Sequence, residues 1–318
     1  MNSELPSASV LPTLDLEQDG IKFVTLTFGI NLYTNTSFYD CPEAILGALD
    51  LFCERCPPNQ MRWYATETMR AHKPITTRAQ NMPSTWLKPG APRKTYVALE
   101  FKSGEVYQDA PQFKYHIWDN EASKQAKVLS LAFPASWGIE RTNDMLDLVK
   151  MLCEIFPFRS GLAGFAFERT HYAEEKSETH AWSMSMRHPG IDIVRLPVDA
   201  KAPNADGEDG ATGEGIRGVG WLTMVSTDLL AQIGGVSSLR SRLDPQIDLI
   251  KTKYGMIIKA GPAPLLGDVN RGEKLLLYRQ VYNVLAPLIN IAAKRSMAFQ
   301  LANDYSERTE SWYARLGA

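Results

Sequence analysis

Arg217-Gly-Val-Gly-Trp221-Leu-Thr-Met-Val225, running into Ser226-Thr-Asp228-Leu-Leu-Ala-Gln-Ile233-Gly-Gly235, is the stretch whose reading decides the fold. Its first nine residues form a short run of strand character. Ser226 and Thr227 can cap a helix, and Asp228 falls in its first turn, where the helix dipole favours negative charge. Leu229, Leu230 and Ile233 supply an apolar face, and Gly234-Gly235 stop the helix. A second short helix around 238–243 ends at Asp244-Pro245. Two strand-like runs come next, 247–252 and 255–260. After the turn-rich 261–272, Leu276, Tyr278, Val281, Tyr282 and Leu285 recur at helical spacing. The segment therefore reads β, α, β, β, α.

Working outward, the N-terminal part gives a related pattern. Residues 1–20 read as a flexible arm. Val24, Leu26, Phe28, Ile30 and Leu32 alternate with Thr25, Thr27, Gly29 and Asn31, which predicts a half-buried strand. Asp40 as N-cap with Glu43 three residues on predicts a helix start, and Pro57-Pro58 its end. Strands are expected at 61–66, 96–102, 112–119, 128–133 and 162–168. Thr142 or Asn143 caps another helix, with Met145, Leu146, Val149 and Leu152 as its apolar stripe, and one more helix is expected at 173–186. The fold class is thus α+β, as two related lobes, each a mostly antiparallel or mixed sheet with helices packed on one face. The lobes are 21–196 and 216–318, joined by an acidic, glycine-rich loop at 197–215. A terminal helix closes the second, and the whole forms one compact domain.

Charge and composition narrow the function. Lysine plus arginine (34) nearly balance aspartate plus glutamate (36), giving −2, which argues against a general nucleic-acid binder. No apolar run approaches the roughly 18 residues of a membrane span, and the N-terminus has no signal-peptide pattern. Four cysteines, at 41, 53, 56 and 153, fit free thiols in a reducing cytoplasm.

The motifs that carry chemistry are weak. Cys53-Glu-Arg-Cys56 falls at a helix end on an apolar face, where a redox CxxC would open a helix and a zinc site would need a second pair. Core cysteines are expected there. Gly213-Glu-Gly215-Ile-Arg-Gly218 matches GxGxxG but follows an acidic loop and precedes a strand, the wrong context for a pyrophosphate. Asn204 to Gly210 misses the calcium-loop register. Glu100-Phe-Lys102 is half of a nuclease-like ExK site without the upstream aspartate that shares a metal, so charged outward positions on an edge strand are expected. Among the five histidines, His171 and His180 would point to different helix faces, nine residues being about two and a half turns. Surface histidines are the expectation. No catalytic residue, metal site or cofactor is assigned.

Several unusual words in order resemble a known family. These are Trp221-Leu222-Thr223, Leu230 with Ile233-Gly234-Gly235, Lys259-Ala260-Gly261-Pro262, Pro264-Leu265-Leu266-Gly267-Asp268-Val269-Asn270, and Tyr278 with Leu285-Ala286-Pro287-Leu288. They are similar to the type VI secretion system immunity proteins (TsiV-like), with weaker similarity back to about Ile21. The resemblance implies a cytoplasmic, non-enzymatic protein that binds and neutralises a cognate type VI effector toxin, such as a nuclease, by occluding it. An enzyme with an unrecognised pocket and a secretion-system adaptor are the alternatives. Direct nucleic-acid or membrane partners are not expected, and a homodimer is left open. Trp221, Gly234, Gly235, Gly261, Pro262, Gly267 and Asp268 read as structural motif residues. Acids on an inhibitor can mimic phosphate and steer association with a nuclease. That argument makes Glu174, Glu175, Glu178, Asp206, Glu208 and Asp209 the expected partner-binding residues.

Overall fold

The alternating strand read at 24–32 is the axis of the molecule. In the computed structural model, which describes residues 11–121, 126–170, 172, 174–194, 215–295, 299 and 301–317, it is β2 (Ile21–Thr34), 14 residues long. Around it lie β1 (Leu16–Gln18), β3 (Trp63–Thr66), β4 (Lys73–Pro74), β5 (Tyr96–Lys102), β6 (Lys114–Asn120), β7 (Lys127–Pro134), β8 (Ser160–Arg169) and β9 (Asp192–Ile193). The C-terminal part adds β10 (Leu222–Ser226), β11 (Ile247–Lys251) and β12 (Gly255–Ala260). Among the described residues these form one sheet in the order β11-β12-β10-β8-β2-β7-β6-β5-β3-β4. β1 is added on β2 and β9 on β8. All pairs are antiparallel except β8 with β9.

The α+β reading therefore holds. The division into two lobes is not confirmed, because β8 pairs with β2 on one side and with β10 on the other, carrying the sheet through both halves.

Helices complete the fold: α1 (Pro42–Cys53), α2 (Thr77–Gln80), α3 (Met82–Trp86), α4 (Trp137–Glu140), α5 (Thr142–Ile155) and α6 (Glu174–Arg187). The C-terminal part holds α7 (Thr227–Gln232), α8 (Gly235–Arg242), α9 (Leu276–Arg295) and α10 (Tyr305–Ala314). α1 lays Phe52 against Phe133 and Tyr115, with ring centroids 5.3 and 6.1 Å apart. Met145, Leu148, Val149 and Leu152 of α5 are buried in the same cluster. Burying each such side chain contributes roughly 1.5–3 kcal/mol. Ser226 caps α7 through its hydroxyl, as expected. Gly234 and Gly235, at φ +92° and +77°, turn the chain into α8, a backbone conformation open to glycine and strained for residues with a Cβ.

Local expectations are corrected in four places. β2 is buried on both faces rather than one: Thr25, Thr27 and Asn31 are as enclosed as Phe28 and Ile30. Each polar side chain is matched, Thr25 Oγ1 donating to the Ala110 carbonyl, Thr27 Oγ1 to that of Ala166, and Asn31 Oδ1 accepting from Ser130. The loop 103–112 thus meets Thr25 on the face that alternation alone assigns to solvent. At α1 the N-cap is Cys41, with Pro42 as the first helical residue, while Asp40 pairs with Arg93. Cys53 is exposed and Cys56 half-buried rather than core: the buried stripe of α1 is Ala44, Ile45, Ala48 and Phe52, and the helix ends at Cys53, short of the prolines. α5 starts at Thr142, whose hydroxyl turns back to the Gly138 and Ile139 carbonyls instead of capping.

Candidate functional site

Two places concentrate polar geometry: a pinned loop at 261–275 and a buried set of charges across β5, β6 and β8. The loop has one short 3-10 turn, Val269–Arg271, yet it is fastened along its length. Trp221 Nε1 donates to the Gly261 carbonyl at 3.0 Å, and the Tyr278 hydroxyl accepts the Leu265 N–H at 3.1 Å. The Gly190 N–H donates to the Leu266 carbonyl at 2.8 Å. A Cβ at Gly190 would lie 2.0 Å from the Leu265 carbonyl oxygen, so only glycine fits this approach. His188 Nδ1 sits 2.5 Å from the Gly267 carbonyl, which can only accept, so Nδ1 carries the proton. Arg187 grips Asp268 in a fork, Nε to Oδ1 at 3.1 Å and Nη2 to Oδ2 at 2.9 Å. The same carboxylate accepts the Asn270 N–H. Chiefly through the Arg187 hydrogen bond, the Asp268 carboxyl is held down at about 2, so the fork stays ionised through neutral pH.

What this scaffold displays is apolar. Leu265, Val269 and Leu276 are 43%, 55% and 67% exposed, with exposed Arg271, Glu273 and Lys274 among them. Leaving three aliphatic side chains in water forgoes burial energy, and apolar groups rimmed by charges on a rigid support are the pattern of a protein-binding surface. Asp268→Ala should release this loop while leaving the sheet intact. The expected readout is faster tryptic cleavage after Arg271 with an unchanged far-UV spectrum. An unchanged cleavage rate would show that the fork does not hold the loop.

Three of the acids expected at a partner surface fall on α6. Glu174 and Glu175 lie in the first turn of α6, and Glu175 is exposed. Glu178, one turn on, is 5% exposed: its carboxylate lies 3.7 Å from Arg169 and accepts the Leu301 N–H. It serves the interior. Asp206, Glu208 and Asp209 lie outside the described residues. Of the motif residues, Trp221 is fully buried, Gly234 and Gly235 form the α7–α8 turn, and Gly261, Pro262, Gly267 and Asp268 shape the pinned loop. Leu265, Val269 and Leu276 were not singled out as surface. For Leu265 and Val269 the one signal is the lack of periodicity of apolar residues inside a Gly/Pro-rich stretch, while Leu276, read with the apolar spacing of the helix, opens α9 and faces solvent instead.

The second place overturns the edge-strand reading of Glu100 and Lys102. β5 is an interior strand between β6 and β3, and these side chains are 9% and 2% exposed. Register sets Glu100 opposite His116 and Lys102 opposite Lys114. His72 Nε2 meets Glu100 Oε1 at 2.6 Å, Lys102 Nζ donates to the Asp109 carbonyl at 2.8 Å, and Lys114 Nζ donates to Glu168 Oε2 at 2.5 Å. Burial works to raise the Glu100 pKa, but the His72 hydrogen bond and the charges of His72, Lys102 and His116 outweigh it and hold it well below the usual range. For Glu168 burial wins over Lys114 and the pKa rises. Histidines expected at the surface are internal: His72 on Glu100, His116 and His188 buried, and His180 half-buried beneath the Leu14 carbonyl. His171 lies outside the described residues. Among the described residues no three His, Cys, Asp or Glu are placed to hold a metal ion. The cluster's geometry ties loop 103–112 and the β3–β4 hairpin to the sheet.

Comparison with known proteins ties this architecture to a family. The family model TsiV, described as "Type VI immunity for VRR-NUC", matches residues 44–316. The chain belongs to this family. The TsiV match starts within α1 rather than near Ile21 and includes the whole pinned loop. Among solved structures, the Pseudomonas aeruginosa T6SS protein PA0821 superposes with a TM-score of 0.78 at 20% identity, covering 96% of this chain and 87% of that chain. That likeness shows a shared fold. No curated protein matches significantly. Among the described residues of this TsiV-family chain, no helix is long and apolar enough to cross a membrane.

Proposed function

We propose that this type VI immunity protein acts by binding: it captures a cognate effector, a nuclease, in the cytoplasm and silences it by occlusion rather than by catalysis. The family match over residues 44–316 carries this reading, since the family description names immunity against a VRR-NUC effector. A nuclease acts where its nucleic-acid substrate lies, which favours a cytoplasmic inhibitor. The pinned loop supplies a contact suited to the task, because its apolar side chains are held in place before binding and lose little entropy on docking.

The test is co-expression with the product of the adjacent gene, followed by co-purification and calorimetry. Rescue of growth together with a stable complex is the expected result; a toxin that is neither bound nor neutralised would sink the reading. Val269→Ser with Leu276→Ser should weaken the complex by about tenfold or more, some 1.4 kcal/mol, as expected for hot-spot side chains. Both side chains already face water, so the melting midpoint should stay near wild type. Unchanged affinity would move the interface away from this loop.

A further inference from the structure

Charge is unevenly distributed along this chain. Residues 59–95 hold seven cations, Arg62, Arg70, Lys73, Arg78, Lys88, Arg93 and Lys94, against the single acid Glu67. Their net charge is +6, and since the chain totals −2, the remainder carries −8. β3 and the outermost strand β4 stand at one end of the sheet, α2 follows directly on β4, and α3 is tied to β3 through Lys94, which pairs with Glu67 and lies over Trp86.

Three of the cations are used internally. Arg62 pairs with Glu105, Arg93 with Asp40 and Glu121, and Lys94 with Glu67 while lying over the Trp86 ring at 3.8 Å. The other four, Arg70, Lys73, Arg78 and Lys88, are exposed and make no ion pair among the described residues. Protection of a sheet edge explains Lys73 beside Pro74 on a two-residue strand. It does not explain Arg70 in the turn, Arg78 on α2 or Lys88 beyond α3. The edge is also held firmly. His72 turns inward to Glu100, the Ile75 N–H bonds to the Arg62 carbonyl, and the Arg62 N–H to that of Lys102.

We propose that this basic edge is an electrostatic docking surface for an acidic protein surface on the effector. The proposal rests on the immunity reading and reverses the charge expected of a phosphate-mimicking inhibitor. Protein rather than nucleic acid is favoured by the aromatic residues. Single-stranded bases need open ring faces, whereas Trp63 packs edge-on to Tyr107 and Trp86 is covered by Lys94. None of the most exposed large apolar side chains falls in 59–95. A patch of charge without apolar anchors speeds encounter more than it slows release. A metal-dependent nuclease clusters carboxylates, and those give such a partner an acidic surface of its own.

The test compares the full-length protein with a variant carrying R70E, K73E, R78E and K88E, and with a control carrying K251E and K253E, exposed at β11 on the other end of the sheet. Association with the co-expressed effector is followed by stopped flow over a range of salt, and anisotropy titrations use an oligoglutamate peptide and a DNA duplex as probes. The quadruple variant should associate about tenfold or more slowly at low salt, with a flattened salt dependence and little change in dissociation. Oligoglutamate binding should be lost in that variant alone. Equal association rates for wild type and variant would overturn the proposal, as would duplex DNA held by these four cations while oligoglutamate is ignored. If the wild type does not bind the effector at all, the immunity reading has failed, and the oligoglutamate titration alone decides whether this edge takes an acidic protein. Should the quadruple variant not fold, the pairs R70E/K73E and R78E/K88E replace it.

Discussion

Trp221→Ala is expected to lower the free energy of unfolding by roughly 3–5 kcal/mol, the usual cost of emptying a large aromatic site in a core. Trp221 is fully buried and meets Phe28 edge-to-face at 6.1 Å, so its removal opens a cavity against the central strand. It also strips the Gly261 carbonyl of its Nε1 donor, leaving a buried acceptor at a cost of about 1–3 kcal/mol within that total. Urea unfolding followed by circular dichroism reads the change as a shifted midpoint at constant slope. Trp221→Phe keeps most of the volume and loses the hydrogen bond, and should fall between the two. A Phe variant as damaged as the alanine would show that the hydrogen bond, and not the packing, dominates. Because Gly261 opens the pinned loop, effector binding should weaken together with stability in the alanine variant.

Lys114→Ala should be comparably severe, roughly 3–5 kcal/mol at neutral pH, because removing one partner leaves Glu168 charged and unpaired in the interior. Here the pH dependence is diagnostic. Burial already raises the Glu168 pKa in the wild type, and without Lys114 only the weaker pull of Lys102 opposes that rise. A group whose folded-state value lies above its unfolded value of about 4.3 stabilises at low pH and loses that contribution as pH rises. The variant's deficit should therefore be small near pH 4 and grow by up to about 1.4 kcal/mol per pH unit through the window above it. Urea titrations at two pH values check this, and a deficit independent of pH would refute the charge explanation. Lys114→Met combined with Glu168→Leu should recover most of the loss, since apolar pairs of similar volume commonly replace buried ion pairs without penalty.

Much of the scaffold was legible because it follows from local periodicity and punctuation. The strand centred on Phe28, the Ser226 cap, the Gly234-Gly235 turn and the hairpin of β11 and β12 are all set by residues within a few positions of one another. The candidate site was less legible. Glu100 and Lys102 read as solvated because charged residues on a strand usually are. Only the arrival of His72 at Glu100 and of the Asp109 carbonyl at Lys102 makes their burial tolerable. Glu178 read as a partner-facing acid for the same reason, and Arg169 together with the Leu301 N–H turned it inward.

By itself the sequence determined the α+β class, the positions of the longer strands and helices and, through the motif words from Trp221 to Leu288, the immunity family. Each of these is encoded by residues close together in the chain or by their order. Only the tertiary structure decided that the sheet runs unbroken from β11 to β4 and that Leu265 and Val269 on a pinned loop, with Leu276 at the start of α9, face solvent. It also decided which charges are buried and which four cations stand exposed at the sheet's end. Burial and pairing depend on what the rest of the chain brings to the same place, and no local pattern carries that information.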